Sequence, residues 1–138
     1  MKIAILVPAF NEEKTIEKVL KDIKSVKARG IKLITVVIDD GSSDNTKNIA
    51  IKKSDILISH LLNRGLGGAL ATGLEYARQI KADFVVTFDA DGQHIASDIL
   101  KILKPLIVNK ADFVIGSRLL KNSKMPVDRK IINFGANC

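Results

Sequence analysis

The chain has 138 residues, of which 46% are hydrophobic and 27% charged, with a formal net charge of +7. Length and composition suit one globular domain with one core and argue against disorder, and no apolar run approaches the roughly 20 residues that cross a bilayer. The one cysteine, Cys138, excludes a disulfide within the chain and fits a reducing interior. The positive balance favours acidic partners such as nucleotides or an anionic surface. The lysines are spread over many segments without a run of five, which reads as solvated helix faces. Aromatic residues make up 4% and leave little for a base-stacking nucleic-acid platform.

Strand and helix signals alternate along the chain. Residues 2–7, Lys2-Ile3-Ala4-Ile5-Leu6-Val7, form a buried strand, and no signal-peptide pattern precedes it. A helix follows with Ile16, Val19, Leu20, Ile23 and Val26 on one face. Asn11 is its cap, Glu12 and Glu13 suit the positive end of its dipole, and Gly30 ends it. Residues 33–38 form a second apolar strand. Gly41-Ser42-Ser43-Asp44 is a turn whose Asp44 caps a short helix through Ile49 and Ala50. Residues 56–59 read as a third strand. Gly65 to Gly68 opens a helix with Leu70, Leu74 and Ala77 on one side. Residues 84–88 are a fourth strand. Ser97 and Asp98 start a helix carrying Ile99, Ile102, Leu103 and Leu106, distorted at Pro105, and residues 113–115 give a fifth strand. This order predicts a three-layer α/β/α domain with a mostly parallel, Rossmann-like sheet, whose ligands sit beyond the carboxyl ends of the strands.

The polar clusters fall at those ends. Asp89-Ala90-Asp91-Gly92-Gln93-His94 follows the fourth strand, and two carboxylates one residue apart in an extended turn can share a side. Both ionise at neutral pH and repel each other unless a cation lies between them. A hard divalent ion such as Mg²⁺ fits, with Gln93 adding a neutral oxygen directly or through water; the plain alternative is a solvated turn. Asp39 and Asp40 end the second strand, are not needed for the turn, and suit hydrogen bonding to a base or ribose. Asn63-Arg64-Gly65-Leu66-Gly67-Gly68 sets glycines at a helix start, either to hold an anion on backbone amides or to allow close packing. Arg118, in Gly116-Ser117-Arg118, offers a planar fork for phosphate, with Arg129 a weaker second. His94 suits a phosphate contact or acid–base work near neutral pH. His60 has no constellation around it and reads as structural.

Together, Val7-Pro8-Ala9-Phe10-Asn11-Glu12-Glu13, Asp39-Asp40-Gly41-Ser42-Ser43-Asp44, Asn63-Arg64-Gly65, Asp89-Ala90-Asp91-Gly92-Gln93-His94 and Gly116-Ser117-Arg118 resemble the inverting GT-A glycosyltransferases of the family that includes cellulose and chitin synthases. The nearer likeness is to the dolichyl-phosphate mannose synthase and polyprenyl-phosphate glycosyltransferase branch, from residue 3 to about 135. The resemblance implies a hexose transfer from GDP-mannose or UDP-glucose to a polyprenyl or dolichyl phosphate or a glycan. It implies that Pro8, Phe10, Glu12, Asp39 and Asp40 line the nucleoside site, with Ile38 and Ala90 in the same set. Asp89, Asp91 and Gln93 would hold Mg²⁺ or Mn²⁺, and Arg118 and Arg129 would face phosphates. Residues 1–118 would be the nucleotide-sugar-binding core and 119–138 the start of an acceptor-side segment, in an N-terminal fragment of a longer protein. The expected place is the cytoplasm, at the cytoplasmic face of the membrane when the acceptor is a lipid phosphate.

Other readings compete. Phe88-Asp89-Ala90-Asp91-Gly92 also looks like the motif of haloacid-dehalogenase-type phosphohydrolases, but that family places Thr or Val where Gln93 stands and sets the motif near its N-terminus. A non-catalytic nucleotide-sugar-binding domain would bind without turnover. A basic nucleic-acid module gives no reason for paired acids at two strand ends.

Overall fold

Lys2–Ala9 is apolar at nearly every position and has no polar face to give to water, so it suits a strand covered on both sides. In the computed structural model, which describes residues 1–116, it is the inner strand β1. Chain order continues with α1 (Ile16–Ser25), β2 (Lys32–Asp39), α2 (Thr46–Lys53), β3 (Ile56–Ser59), α3 (Gly65–Gln79), β4 (Phe84–Thr87) and α4 (Asp98–Ile107). Among the described residues the named strands pair in parallel, in the order β3-β2-β1-β4. Right-handed crossovers carry the chain one way through α1 and α2 and back through α3, which puts α3 on the other face of the sheet. This is the expected α/β architecture with helices on both faces. The residues form two compact units, one of Met1–Leu100 and a second beginning at Lys101. No helix among the described residues is long and apolar enough to cross a membrane.

The side chains of β1 and β2 divide by alternation. Ala4, Leu6, Val36 and Ile38 make a core cluster with Ala69 and Ala77 of α3. The buried face of α3 is therefore Ala69, Gly73 and Ala77, and not Leu70, Leu74 and Ala77: Leu74 is exposed. The reason is distance. A Cβ on Gly73 would lie 2.9 Å from Cδ1 of Ile38 and 3.0 Å from Cδ1 of Leu6. Small residues at every fourth position let the helix come this close to the sheet.

Three further expectations change. α1 begins at Ile16 after Thr15, and Asn11 does not cap it; Asn11 has φ 55° and belongs to the preceding turn. Backbone satisfies the helix start instead, the Glu12 carbonyl accepting from the Thr15 and Ile16 amides at 3.1 and 3.0 Å. The helix stops at Ser25, with the Val26 amide on the Ile23 carbonyl, and Gly30 (φ 75°) serves a later turn closed between Ala28 and Ile31. Residues 113–115 form no strand: Phe113 and Ile115 are 79% and 76% exposed. Three apolar residues supply too few ladder bonds to fix a pairing by themselves. Pro105 does lie inside α4 as expected.

Replacing Gly73 with Val should destabilise the chain by about 1–3 kcal/mol, the usual cost of overpacking a tight core. Urea denaturation measures this; an unchanged midpoint would mean that α3 can back away from the sheet.

Candidate functional site

β1 and β2 run on together to Ala9 and Asp39, whereas the β1–β4 ladder ends at Leu6 and Thr87. Residues 7–9 of β1 are thus left without a ladder partner on the β4 side. This notch lies between β1 and β4, where the strand order reverses and where ligands settle in such sheets.

The β1–α1 turn forms one wall and is fastened to the β2–α2 turn. The Asn11 amide donates to Ser42 Oγ at 3.0 Å, and Asn11 Oδ1 accepts from the Ser43 amide at 2.9 Å. The Glu12 amide donates to Thr46 Oγ1 at 2.7 Å and the Glu13 amide to Asp44 Oδ2 at 3.1 Å, while the Asn45 amide returns a bond to Glu13 Oε2 at 3.0 Å. Asp44 also accepts from the Thr46 amide at 2.9 Å, so it does serve the start of α2. Of the expected nucleoside contacts here, Phe10 is 46% exposed and Pro8 is half-buried, while the Glu12 carboxylate accepts from Thr15 Oγ1 at 2.8 Å. Ile38 is a correction: its side chain is fully buried against α3, so it belongs to the core and lines no ligand surface.

Asp39 and Asp40 are only 1% and 4% exposed. Asp39 accepts from the Ser42 amide at 3.2 Å and from Ser59 Oγ at 2.8 Å. Asp40 accepts from the Arg64 amide at 2.9 Å (Oδ1) and 3.1 Å (Oδ2), and its Oδ1 lies 2.6 Å from Nδ1 of His60. Burial pushes the Asp40 carboxyl up, but the Arg64 amide, the His60 ring and the Gly65 amide outweigh it and hold it below its ordinary value. His60, which the sequence left without partners, therefore has two: Asp40, and Thr72 Oγ1 at 3.0 Å from Nε2. Its position directly after an apolar strand was the available signal. The glycine turn is also accounted for: a Cβ on Gly41 (φ 76°) would meet the Asn63 nitrogen and the Leu62 carbonyl carbon at 3.0 Å, so only glycine lets the two turns touch.

At the end of β4 the acids are differently placed. Ala90 is buried, while Asp89 is exposed and Asp91 half-buried. Gly92 (φ 76°) turns the chain so that the Gln93 amide donates to Asp91 Oδ1 at 2.8 Å. His94 Nε2 lies 3.2 Å from Asp89 Oδ2, and its ring stands edge-on to Phe88 with centroids 5.2 Å apart. A Cβ on Gly92 would lie 4.0 Å from Thr15 Cγ2, which puts this turn beside the start of α1. Among the described residues no group of three or more His, Cys, Asp or Glu side chains is arranged to hold a metal by itself. Two accessible carboxylates do fit Mg²⁺ or Mn²⁺ of the kind that fills its remaining positions with water and substrate phosphate. Arg118 and Arg129 lie outside the described residues.

A parallel sheet with paired acids at its point of reversal defines an α/β domain of the kind that takes its ligand beyond the carboxyl ends of the strands. The chain belongs to glycosyl transferase family 2, whose model matches residues 4–136. It is 48% identical over 99% of its length to an uncharacterized protein of Methanocaldococcus jannaschii, covering 56% of that protein. It is 38% identical over 96% of its length to the UDP-N-acetylglucosamine–dolichyl-phosphate N-acetylglucosaminyltransferase of Methanococcus voltae, covering 59% of it. Glucosyl-3-phosphoglycerate synthase from Mycobacterium tuberculosis, solved with Mn²⁺, UDP-glucose and phosphoglyceric acid, superposes with a TM-score of 0.65 and 28% identity, over 79% of this chain and 40% of that one. The chain thus spans somewhat more than half the length of these two relatives.

Asp40, Asp44 and Asp55 share one electrostatic property. Burial raises each, and hydrogen bonds outweigh it: from Arg64 and His60 to Asp40, from Thr46 and Glu13 to Asp44, from Thr35 to Asp55. With folded values below the ordinary 3.8, their stabilisation is complete above that pH and is lost as pH falls through the lower folded values. The melting temperature should therefore hold from neutrality to about pH 4 and drop below it. Calorimetric melting checks this, and equal melting at pH 3 and pH 7 would contradict it.

Proposed function

We propose that the protein is a metal-dependent inverting glycosyltransferase that moves a sugar from a nucleoside diphosphate to a polyprenyl phosphate. The observation that carries this is the accessible Asp89-Ala90-Asp91 turn beside the notch at the end of β4. Residues 1–118 form its nucleotide-sugar core in this reading, and 119–138 begin the acceptor side.

Asp89 and Asp91, joined by Gln93, would hold Mg²⁺ or Mn²⁺. The ion, when bound, neutralises charge on the diphosphate leaving group. The His94 ring orients Asp89, and the Gln93 amide orients Asp91, so both acids are fixed before the ligand arrives. Phe10 and Pro8 offer an apolar surface for the nucleoside at the opposite wall. Arg118, with Arg129 in support, is assigned to phosphate contact in this reading. A phosphate acceptor is already ionised at neutral pH, so attack opposite the leaving group needs no dedicated base and inverts the anomeric centre. The Methanococcus voltae relative and the Mycobacterium tuberculosis structure, both named with uridine nucleotides, favour a UDP-sugar over GDP-mannose.

Calorimetric titration of the full-length protein with UDP, GDP and their sugar derivatives, with and without Mn²⁺, tests this. Metal-dependent binding of one nucleotide should weaken at least about tenfold in Asp91→Ala, as expected for a lost charge-assisted ligand contact. Undiminished binding in a folded Asp91→Ala protein would overturn the metal assignment. A lipid-phosphate acceptor also calls for peripheral membrane contact, for which the net charge of +7 is suited. Sedimentation with anionic but not neutral vesicles is the expected result, and equal sedimentation with both would count against it.

A further inference from the structure

His60 stands at the end of β3 with its side chain enclosed, and the proposed chemistry gives it no task. Its two ring nitrogens are nonetheless committed. Asp40 is an ionised acceptor at neutral pH: burial raises its carboxyl, but the Arg64 amide and the other hydrogen bonds hold it below the ordinary value. The Nδ1 that meets Asp40 Oδ1 at 2.6 Å must therefore carry the proton. Nε2 faces Thr72 Oγ1, and that hydroxyl lies 3.1 Å from the Gly68 carbonyl one helical turn back. The ring thus spans from the β2 end to the body of α3.

The commitment of Asp40 bears on ligand binding. Both of its oxygens are engaged by protein groups, which fixes the direction in which the carboxylate points. What it does is hold the Asn63-Arg64-Gly65 turn by the Arg64 amide, against the Gly41 turn whose missing Cβ lets Leu62 and Asn63 approach. The Gly41 turn leads into Ser42–Thr46, which fastens the wall bearing Phe10. A continuous chain of contacts thus links Asp40 to the wall that bears Phe10.

We propose that His60 is a positioning residue for the nucleotide site: by donating from Nδ1 to Asp40 it fixes the turns at 39–46 and 62–65 in register, and so sets nucleotide affinity without touching the nucleotide. This rests on the donor site assigned above.

Two substitutions separate the links. His60→Asn sets an amide N–H where Nδ1 stands and keeps the bond to Asp40. His60→Gln places its amide near Nε2 and loses that bond. Nucleotide affinity, read by calorimetry with Mn²⁺, should fall about tenfold in His60→Gln, the size expected of one hydrogen bond to a charged group, and stay near wild type in His60→Asn. Amide hydrogen exchange at Arg64 should quicken in His60→Gln and not in His60→Asn. Thr72→Val, which cuts only the link to α3, should lower the melting temperature and leave affinity unchanged. Equal affinities in folded His60→Gln and wild type, or equal losses in the Gln and Asn variants, would overturn the proposal. Should His60→Gln fail to fold, the wild-type His60 Nδ1 proton and Arg64 amide resonances decide: nucleotide should shift both, and no shift rejects the coupling. Wild type that binds no nucleoside diphosphate removes the proposed function, while exchange at Arg64 still reports whether His60 holds the turn.

Discussion

Asp39 and Asp40 stand side by side at the carboxyl end of β2, shielded from water. Buried carboxylates are costly unless they are hydrogen-bonded, and the surroundings are arranged to meet that demand. Ser59, which ends β3, and His60 just after it each reach back to one acid, and the Ser42 and Arg64 amides complete the sets. Because the bonds come from three separate segments, satisfying the two acids also fixes the turns after β2 and β3 against each other. The β1–α1 turn is then tied to the β2–α2 turn by reciprocal side-chain and amide bonds. One wall of the notch is thereby rigid before any ligand arrives, which limits the ordering cost of binding.

The acids at the end of β4 follow the opposite rule. Asp89 and Asp91 receive one ring nitrogen and one amide between them in the bonds described, and remain accessible. Two accessible carboxylates in one turn suit a divalent cation. Burial separates the two pairs of the same residue type: the acids of β2 are enclosed and hydrogen-bonded by the chain, and those of β4 stay accessible. The uneven strand lengths produce this difference. β1 and β2 extend past the end of β4, and the chain that leaves β4 buries Phe88 and Ala90 while Asp89 between them is exposed.

Much of this was legible in the residues. The four strands announced themselves as apolar runs, since a strand covered on both faces has no polar positions to hide, and the clusters of acids fell directly after them. The errors share a cause. Asn11 looked like a cap, but its carboxamide is used by Ser43, which is 32 residues away in sequence. Leu74 looked like core, but the close approach of α3 favours the small residues 69, 73 and 77. His60 looked solitary because its partners, Asp40 and Thr72, are distant along the chain. Residues 113–115 looked like a strand because composition records apolarity and says nothing of a neighbour to pair with.

The amino-acid sequence by itself determined the alternation of strand and helix, the parallel sheet and the family, because these depend on local patterns of polarity and on short motifs. Only the tertiary structure decided which acids are buried and which are open, which strand ends project and which face of α3 meets the sheet. Those depend on distances between segments far apart in the chain, and no local pattern encodes a distance.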